Sequence, residues 1–558
     1  MAEPRIRILI LGGYGTFGGR LAELLSDETR LTLIIAGRSL SKAEAFRARR
    51  AWRSEVDCAA FDREGELENQ LQALRPDIIV DASGPFQEYD NPYRLVRAAI
   101  AHGIHYLDLA DATDFVAGIA RLDDQAKDRG VFVLSGVSSF PVLTAAVVRH
   151  LSHDMARIES ITGGVAPSPY AGVGLNVIRA ISSYAGKPVE LPSGRAFAFV
   201  DTRWFTIAPP GAVPLRPLRF SLVNVPDLKV LPELWPTLRI VWMGVAPVPA
   251  SLHRALNTLA WLVRWRVLPS LLPFASLMHA AINILRWGEH RGGMFVEVKG
   301  VASDGAARGR SWHLVAEGDD GPFIPSMAAA AIIARCLDGQ LPPAGARSAV
   351  HDLDLADYER FFAARAIRIG TRERPSRAAP LYRRILGEAW DALPAPLRTM
   401  HELTGSLSAS GLATVERGSS LAARLIAGIF RFPNLGANIP VTVSFHVDDS
   451  REVWHRDFAD RGFTSTQEEG RGRFERLLCE RFGPFSFGLA LVMDGTRMSL
   501  VLRSWSLFGI PLPLALAPRG AAYEHVEEGR FCFHVEIAHR WAGLIVRYRG
   551  WLMPIEHK

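Results

Sequence analysis

The chain has 558 residues, 48% of them hydrophobic and 22% charged, with a formal net charge of +6. That length exceeds what one hydrophobic core supports, so two or three domains are expected, and the composition excludes a disordered chain. Of the 64 basic residues only six are lysine, and no zinc-finger spacing or basic run interleaved with aromatics occurs, which argues against nucleic acid as a partner. Cys58, Cys336, Cys479 and Cys532 lie far apart and form no CxxC pair, so no structural metal is expected.

The first 145 residues alternate strand and helix patterns. Ile6 to Leu11 reads as a buried strand, and it runs into Gly13-Tyr14-Gly15-Thr16-Phe17-Gly18 and then a helical pattern at Leu21, Leu24 and Leu25. A glycine triplet between a first strand and a first helix suits a dinucleotide. Gly13 is expected to allow the tight turn, Gly15 the approach of a pyrophosphate, and Gly18 close helix–strand packing, with the helix dipole favouring the phosphate charge.

The second strand, Leu31 to Gly37, ends without an acid and delivers Arg38 and Ser39. An NAD-binding unit usually carries Asp or Glu there to accept from the ribose hydroxyl, whereas a guanidinium clamps a 2′-phosphate. The expected cofactor is therefore NADP(H). Asp62, ending the third strand, has two readings, an acceptor for the adenine amine or a helix N-cap. Ser83-Gly84-Pro85-Phe86 ends the fourth strand, where the strand-end rule places ligand contacts.

Later strand patterns at His105 to Leu109 and Val131 to Ser135 complete a doubly wound parallel sheet, whose ligands bind outside the carboxyl ends of the strands. Hydride transfer also needs a proton donor. Lysine is nearly absent, which leaves Asp108, Tyr89 and Ser83 as the catalytic candidates; for Asp108 the competing role is to bind backbone N–H groups. His105 and Tyr106 begin their strand and are expected to point away from the site.

Residues 146–365 read as an α+β substrate domain, with strands at Ile158 to Val165, Met294 to Val301 and Ser311 to Glu317. Within it, 231–287 is a tryptophan-rich apolar helical insert whose charges are mostly arginine. No run is long enough to span a bilayer. The insert is either a buried helical cap or an interfacial surface contacting a membrane or a lipid substrate. A polar segment from Ile369 to Ser376 marks a boundary. The last domain, 376–558, is β-rich, with strands expected at Val441 to Val447, Glu452 to Phe458, Gly472 to Leu478, Phe485 to Met493, Met498 to Phe508, Phe531 to His539 and Leu544 to Tyr548. Short turns between them predict an antiparallel sheet or partly closed barrel.

The motifs Gly13 to Gly18, Ala36-Gly37-Arg38-Ser39, Ala82 to Phe86 and His105-Tyr106-Leu107-Asp108-Leu109-Ala110-Asp111 together resemble the saccharopine dehydrogenase-like NADP-binding oxidoreductases over residues 1–350. The segment from Leu381 onward resembles a bacterial domain of unknown function that is fused to such reductases. The resemblance implies NADP binding, a Gly-Pro-Phe turn near the nicotinamide, and a family that includes lipid-directed members. The expected activity is hydride transfer with a small apolar or lipid-like carbonyl, imine or enoyl substrate; the alternative is a non-catalytic NADP(H)-binding sensor or a lipid- or partner-binding protein. A start without a signal-peptide pattern predicts a cytoplasmic protein, peripheral to the membrane if 231–287 contacts lipid, and a homodimer is expected.

Overall fold

The computed structural model describes residues 5–373, 378–449, 451–459 and 461–555. Two compact units emerge: Met1–Phe205 with Leu218–Arg368, and Thr206–Pro217 with Ile369–Lys558. The chain is thus not cut once between them, because residues 206–217 belong to the second unit. The expected start of the last domain at 376 lies outside the described residues.

In the first unit, β1 (Ile6–Leu11), α1 (Thr16–Leu24), β2 (Leu31–Gly37), α2 (Leu40–Arg47), β3 (Glu55–Ala60), α3 (Leu67–Leu74), β4 (Ile78–Asp81), α4 (Arg94–Ala101) and β5 (His105–Asp108) follow in order. After α5 (Thr113–Gly118) and α6 (Asp123–Asp128) comes β6 (Phe132–Ser135). The strands pair in parallel as β3-β2-β1-β4-β5-β6, the doubly wound order with its switch point between β1 and β4. Their near-continuous apolar runs, such as Ile8, Leu9 and Ile10 of β1 with no exposed surface, reflect burial on both faces. A seventh strand, Gly345–Ser348, pairs in parallel with β6. Residues expected to close the substrate domain therefore complete the nucleotide-type sheet instead.

A mixed sheet follows, ordered Thr202–Phe205, Leu218–Leu222, Ile240–Val245, Met155–Ala166, Arg291–Ala302 and Ala307–Glu317. Here the reading of 231–287 as a helical insert needs correction. Ile240–Val245 is an internal strand, parallel to Met155–Ala166, and its Trp242 has no exposed surface. Helices Ala250–Arg264 and Ala275–Ile284 follow. The first buries Leu256, Ala260 and Val263, but Trp265 (64% exposed), Leu277 (70%), Ile284 (78%) and Trp287 (48%) face solvent. The stretch is part core and part exposed apolar surface, because its tryptophans and leucines divide between a strand in the sheet and helix faces with nothing over them. Among the described residues no helix is long and apolar enough to cross a membrane.

The second unit is a closed antiparallel β-barrel. Its strands run Phe485–Asp494, Leu478–Phe482, Arg461–Glu469, Arg451–Phe458, Gly436–Asp448, Ser406–Arg417, Gly543–Pro554, Arg530–His539, Ala522–Glu527 and Arg497–Leu507, and the last pairs back onto the first. The expected strand at Gly472 to Leu478 is instead a short turn, Gly472–Phe474, followed by Leu478–Phe482, because Gly472 takes φ +59°. Strands Ser406–Arg417, Arg461–Glu469 and Ala522–Glu527 had no counterpart in the sequence reading. Closure removes the unpaired edges of an open sheet, which turns a partly closed barrel into a complete one.

Candidate functional site

The loop after β1 carries the most demanding backbone. Gly12 takes φ +71°, and a Cβ there would sit 2.8 Å from the Ala82 carbonyl oxygen. The left-handed turn therefore falls on Gly12 rather than on Gly13. A Cβ on Gly18 would lie 2.3 Å from the Gly12 carbonyl oxygen, so α1 packs against the turn with no room for a side chain. Gly15 is the N-cap of α1, and no side chain caps the helix. The first-turn amides of Thr16, Phe17 and Gly18 thus begin a helix that lacks a built-in acceptor. Together they form a cradle suited to an anion.

A cavity of about 590 Å³ opens beside this cradle, lined by Tyr14, Gly15, Thr16, Arg20, Arg49, Arg50 and Gly172 among others. Tyr14 lies over the end of β2: a Cβ on Gly37 would fall 2.5 Å from its hydroxyl, and that hydroxyl accepts from the Ser39 amide at 3.2 Å. Ser39 Oγ accepts from the Lys42 amide at 3.4 Å as the N-cap of α2. Arg38 is exposed, makes no hydrogen bond or ion pair with the described residues, and is not among the cavity's lining residues. Arg49 and Arg50, which sequence reasoning passed over, do line it; Arg50 is held by Glu23 at 3.4 Å, whereas Arg49 is exposed and unpaired among the described residues. Their two-residue position after α2 was the only signal available.

Asp62 is exposed, and its Oδ1 accepts from the Glu64 amide at 3.1 Å. The N-cap of α3 is Glu66, so the reading of Asp62 as a helix cap fails; Gln70 instead clamps the Asp62 backbone through its side-chain oxygen at 2.8 Å and nitrogen at 3.0 Å.

At the end of β4 lies a polar network built on Asp81, a residue that sequence reasoning missed. Asp81 has no exposed surface. Its Oδ1 accepts from the Ser83 hydroxyl at 2.6 Å and the Ser83 amide at 3.0 Å. Its Oδ2 accepts from the Arg63 guanidinium and from the Tyr106 hydroxyl at 3.2 Å. Tyr106 therefore points into this network rather than away from it. Ser83 Oγ and the Tyr89 hydroxyl are 3.3 Å apart, and the Arg63 guanidinium lies 3.7 Å from the Tyr89 ring centroid. Burial opposes the Arg63 charge, but the Asp81 carboxylate together with Tyr106, Tyr89 and Asp108 outweighs it and raises the guanidinium above its ordinary value. Burial, helped by Asp81, pushes the Tyr89 phenol up, so the hydroxyl keeps its proton.

Gly84 accepts through its carbonyl from the Asn176 side-chain amide. Asn176 lies in the first turn of the helix Leu175–Tyr184; in the loop before it Gly172 lines the cavity and Gly174 approaches the Thr16 hydroxyl. The segment leading into the helix Leu175–Tyr184 thus approaches both the turn after β1 and the Gly-Pro-Phe turn. Pro85 precedes a short helical turn at Phe86–Glu88. The Phe86 ring is buried against Phe115, with centroids 5.0 Å apart, so it is a core residue and not a wall of the crevice.

Of the two roles expected for Asp108, the structure shows the binding of backbone N–H groups and not that of an accessible acid. No part of it is exposed, and its Oδ1 accepts from the Ala110 amide at 3.0 Å, the Gly136 amide at 2.8 Å and the Ser135 hydroxyl at 3.0 Å. Its Oδ2 has no partner among the described residues. Burial raises its carboxyl to about 7. With no surface to offer a substrate, Asp108 clasps the loops after β5 and β6 and positions the crevice floor.

In the barrel, His525, Glu527 and Cys532 bring three ligand-type atoms within 4.8 Å of one another. Burial pushes the Cys532 thiol up, away from the thiolate a metal needs.

Residues 8–134 match the family model described as the saccharopine dehydrogenase NADP binding domain, and residues 393–552 match a domain of unknown function, DUF4166. Apo saccharopine dehydrogenase (L-Glu forming) from Saccharomyces cerevisiae is 12% identical, covering 66% of this chain and 99% of its own, with a TM-score of 0.46. Biliverdin reductase from Synechocystis sp. PCC 6803, solved with biliverdin and NADP+, is 10% identical over 61% of this chain and 92% of its own, with a TM-score of 0.27. The WlbA dehydrogenase from Thermus thermophilus, solved with NAD and alpha-ketoglutarate, is 13% identical over 63% and 94%, with a TM-score of 0.29. No curated relative matches the chain.

Proposed function

We propose that this chain, which joins a saccharopine dehydrogenase NADP binding domain to DUF4166, is an NADP(H)-dependent oxidoreductase acting on a small, apolar or lipid-like carbonyl, imine or enoyl substrate. The observation that carries the reading is the uncapped N-terminus of α1 beside a β2 end that offers arginine and no acid. When bound, the nicotinamide supplies or accepts the hydride. The chain's own residues do the rest. First-turn amides of α1 hold the pyrophosphate. Arg38 and Arg49, both free of protein partners among the described residues, meet the 2′-phosphate. Tyr89 holds the mobile proton, and Ser83 links it to the buried Asp81 carboxylate.

The apolar substrate class rests on the exposed face around Trp265, Leu277, Ile284 and Trp287. From Leu234 to Gly288 the chain has no acidic residue and carries Arg239, Arg254, Arg264, Arg266 and Arg286. Such a face suits an anionic lipid surface, and the proposal includes peripheral contact there. Flotation with anionic vesicles tests that part: co-flotation that Leu277→Ser with Ile284→Ser abolishes supports it, and a protein that stays at the bottom overturns it.

The cofactor assignment is tested by titrating NADPH and NADH into wild type, Arg38→Ala and Arg49→Ala. A preference for NADPH of tenfold or more, reduced in at least one variant, is expected. Equal affinity for the two coenzymes in wild type overturns it. Tight uptake with no turnover of any carbonyl, imine or enoyl compound selects the sensor reading instead.

A further inference from the structure

A second cavity is larger than the one beside the glycine turn. It lies inside the barrel, measures about 930 Å³, and is lined by barrel strands and by the helix Leu421–Ile429 with the turn that follows it. Eight strands give a barrel just wide enough to be filled by its own side chains or to hold one small molecule, and wider barrels enclose larger spaces. This one closes with ten. Its volume sits near the top of the range of about 300–1,000 Å³ usual for small-molecule sites. Phe430, Phe445, Phe463, Phe482, Trp505 and Phe531 form much of the wall. Protein interiors are otherwise close-packed, so an aromatic wall facing open space is a surface awaiting contacts.

The acid and base groups buried on that wall are matched. Tyr382 donates to Gln467 at 3.0 Å, and Gln467 donates to Glu480 at 3.2 Å. Arg456 pairs with Glu480 at 3.4 Å. His401, which has no solvent-exposed surface, meets Glu524 through Nε2 at 2.6 Å and stacks on Tyr382 at 3.8 Å between centroids. His401 Nδ1 has no hydrogen-bond partner. Buried acid and base thus pair off along the cavity wall. Arg497 and Arg519 line the cavity yet are exposed, which marks where it opens to solvent.

We propose that the DUF4166 barrel is a binding site for a neutral, largely apolar molecule, carrying at most a hydroxyl or carbonyl oxygen, whose hydrocarbon fills the aromatic chamber. A free carboxylate fits poorly, because the buried cations facing the chamber are already paired and an unmatched buried charge is costly. The site is separate from the nucleotide crevice, and the inference stands whether or not the first unit proves to be an oxidoreductase.

The test uses the full-length protein, stripped of lipid on a hydrophobic resin, and two fluorescent probes: a dansyl-labelled undecyl alcohol and the matching undecanoic acid. Saturable binding of one alcohol per chain, at least tenfold tighter than the acid, is expected. Leu500→Trp and Val535→Trp, which each push an indole into the chamber, should each weaken alcohol binding at least tenfold, while NADPH affinity and the circular dichroism spectrum stay at wild-type values. If one variant fails to fold, the other decides. Non-saturable uptake, equal or tighter binding of the acid, or wild-type alcohol affinity in a folded variant overturns the proposal.

Discussion

Asp81 and Asp108 are register partners at the carboxyl ends of neighbouring parallel strands, and neither has any exposed surface. Their surroundings separate them. Asp81 is matched by Arg63 and by the Ser83 and Tyr106 hydroxyls, whereas Asp108 spends one oxygen on loop donors and leaves the other bare. Two side chains of one type, side by side, thus take different work: one anchors a proton-bearing pair next to the Gly-Pro-Phe turn, and the other holds the loops behind it.

For the anchored pair, Tyr89→Phe and Ser83→Ala should each lower kcat by roughly 10²–10³, within the range for a general acid–base group, with NADPH affinity unchanged. Steady-state kinetics with any reducible apolar substrate, alongside coenzyme titration, checks this. A Tyr89→Phe enzyme with wild-type kcat would remove the proton role.

Asp81→Asn leaves the buried Arg63 without its counter-charge and should destabilise the first unit by about 3–5 kcal/mol, the usual cost of breaking a buried pair from one side. Guanidinium unfolding followed by tryptophan fluorescence measures it. The double change Arg63→Met with Asp81→Asn should lose less than Asp81→Asn alone, because no charge is then stranded.

Burial raises the carboxyls of Asp108 and Asp227 to about 7 in the folded chain, above their ordinary value of 3.8. Between pH 4 and 7 the folded state therefore holds more protons than the unfolded state, so stability falls as pH rises through that window. Each carboxyl contributes up to ~4 kcal/mol of this loss. Asp108→Asn keeps a carbonyl oxygen for the three loop donors and removes the titration, so its stability should vary less with pH over the same window. An unchanged slope would show that the carboxyl does not titrate there.

Gly18→Ala drives a methyl group to 2.3 Å from the Gly12 carbonyl oxygen and must push α1 away from the turn. A stability loss of about 1–3 kcal/mol is expected from such overpacking, with coenzyme affinity down at least tenfold as the first-turn amides shift. Calorimetric titration reports the second effect directly.

Much of the first sheet could be read from the chain itself. Unbroken apolar runs such as Ile8 to Leu11 and Leu31 to Ala36 announce strands buried on both faces, and glycine spacing between strand and helix announces a phosphate turn. Local pattern was less able to separate strand from helix in 231–287, because Ile240–Val245 is uniformly apolar and shows neither the period of two nor that of 3.6. The barrel strands alternate, and so several were recognisable, and the hairpin of Phe485–Asp494 with Arg497–Leu507 is local, but closure also depends on Ser406–Arg417 pairing with the distant Gly543–Pro554. No local signal encodes that.

The amino-acid order alone determined the glycine turn and the acid-free end of β2, since both lie in one short stretch of chain, and it announced the strands of the parallel sheet by their apolar runs. Only the tertiary structure decided which polar side chains work together. Arg63, Asp81, Tyr89 and Tyr106 meet because parallel strands place their carboxyl ends side by side, and His401 reaches Glu524 across 123 positions because the barrel closes. Partnership across such distances is set by packing, and a side chain's chemistry, above all whether a buried carboxyl is matched or bare, follows from the partner it finds.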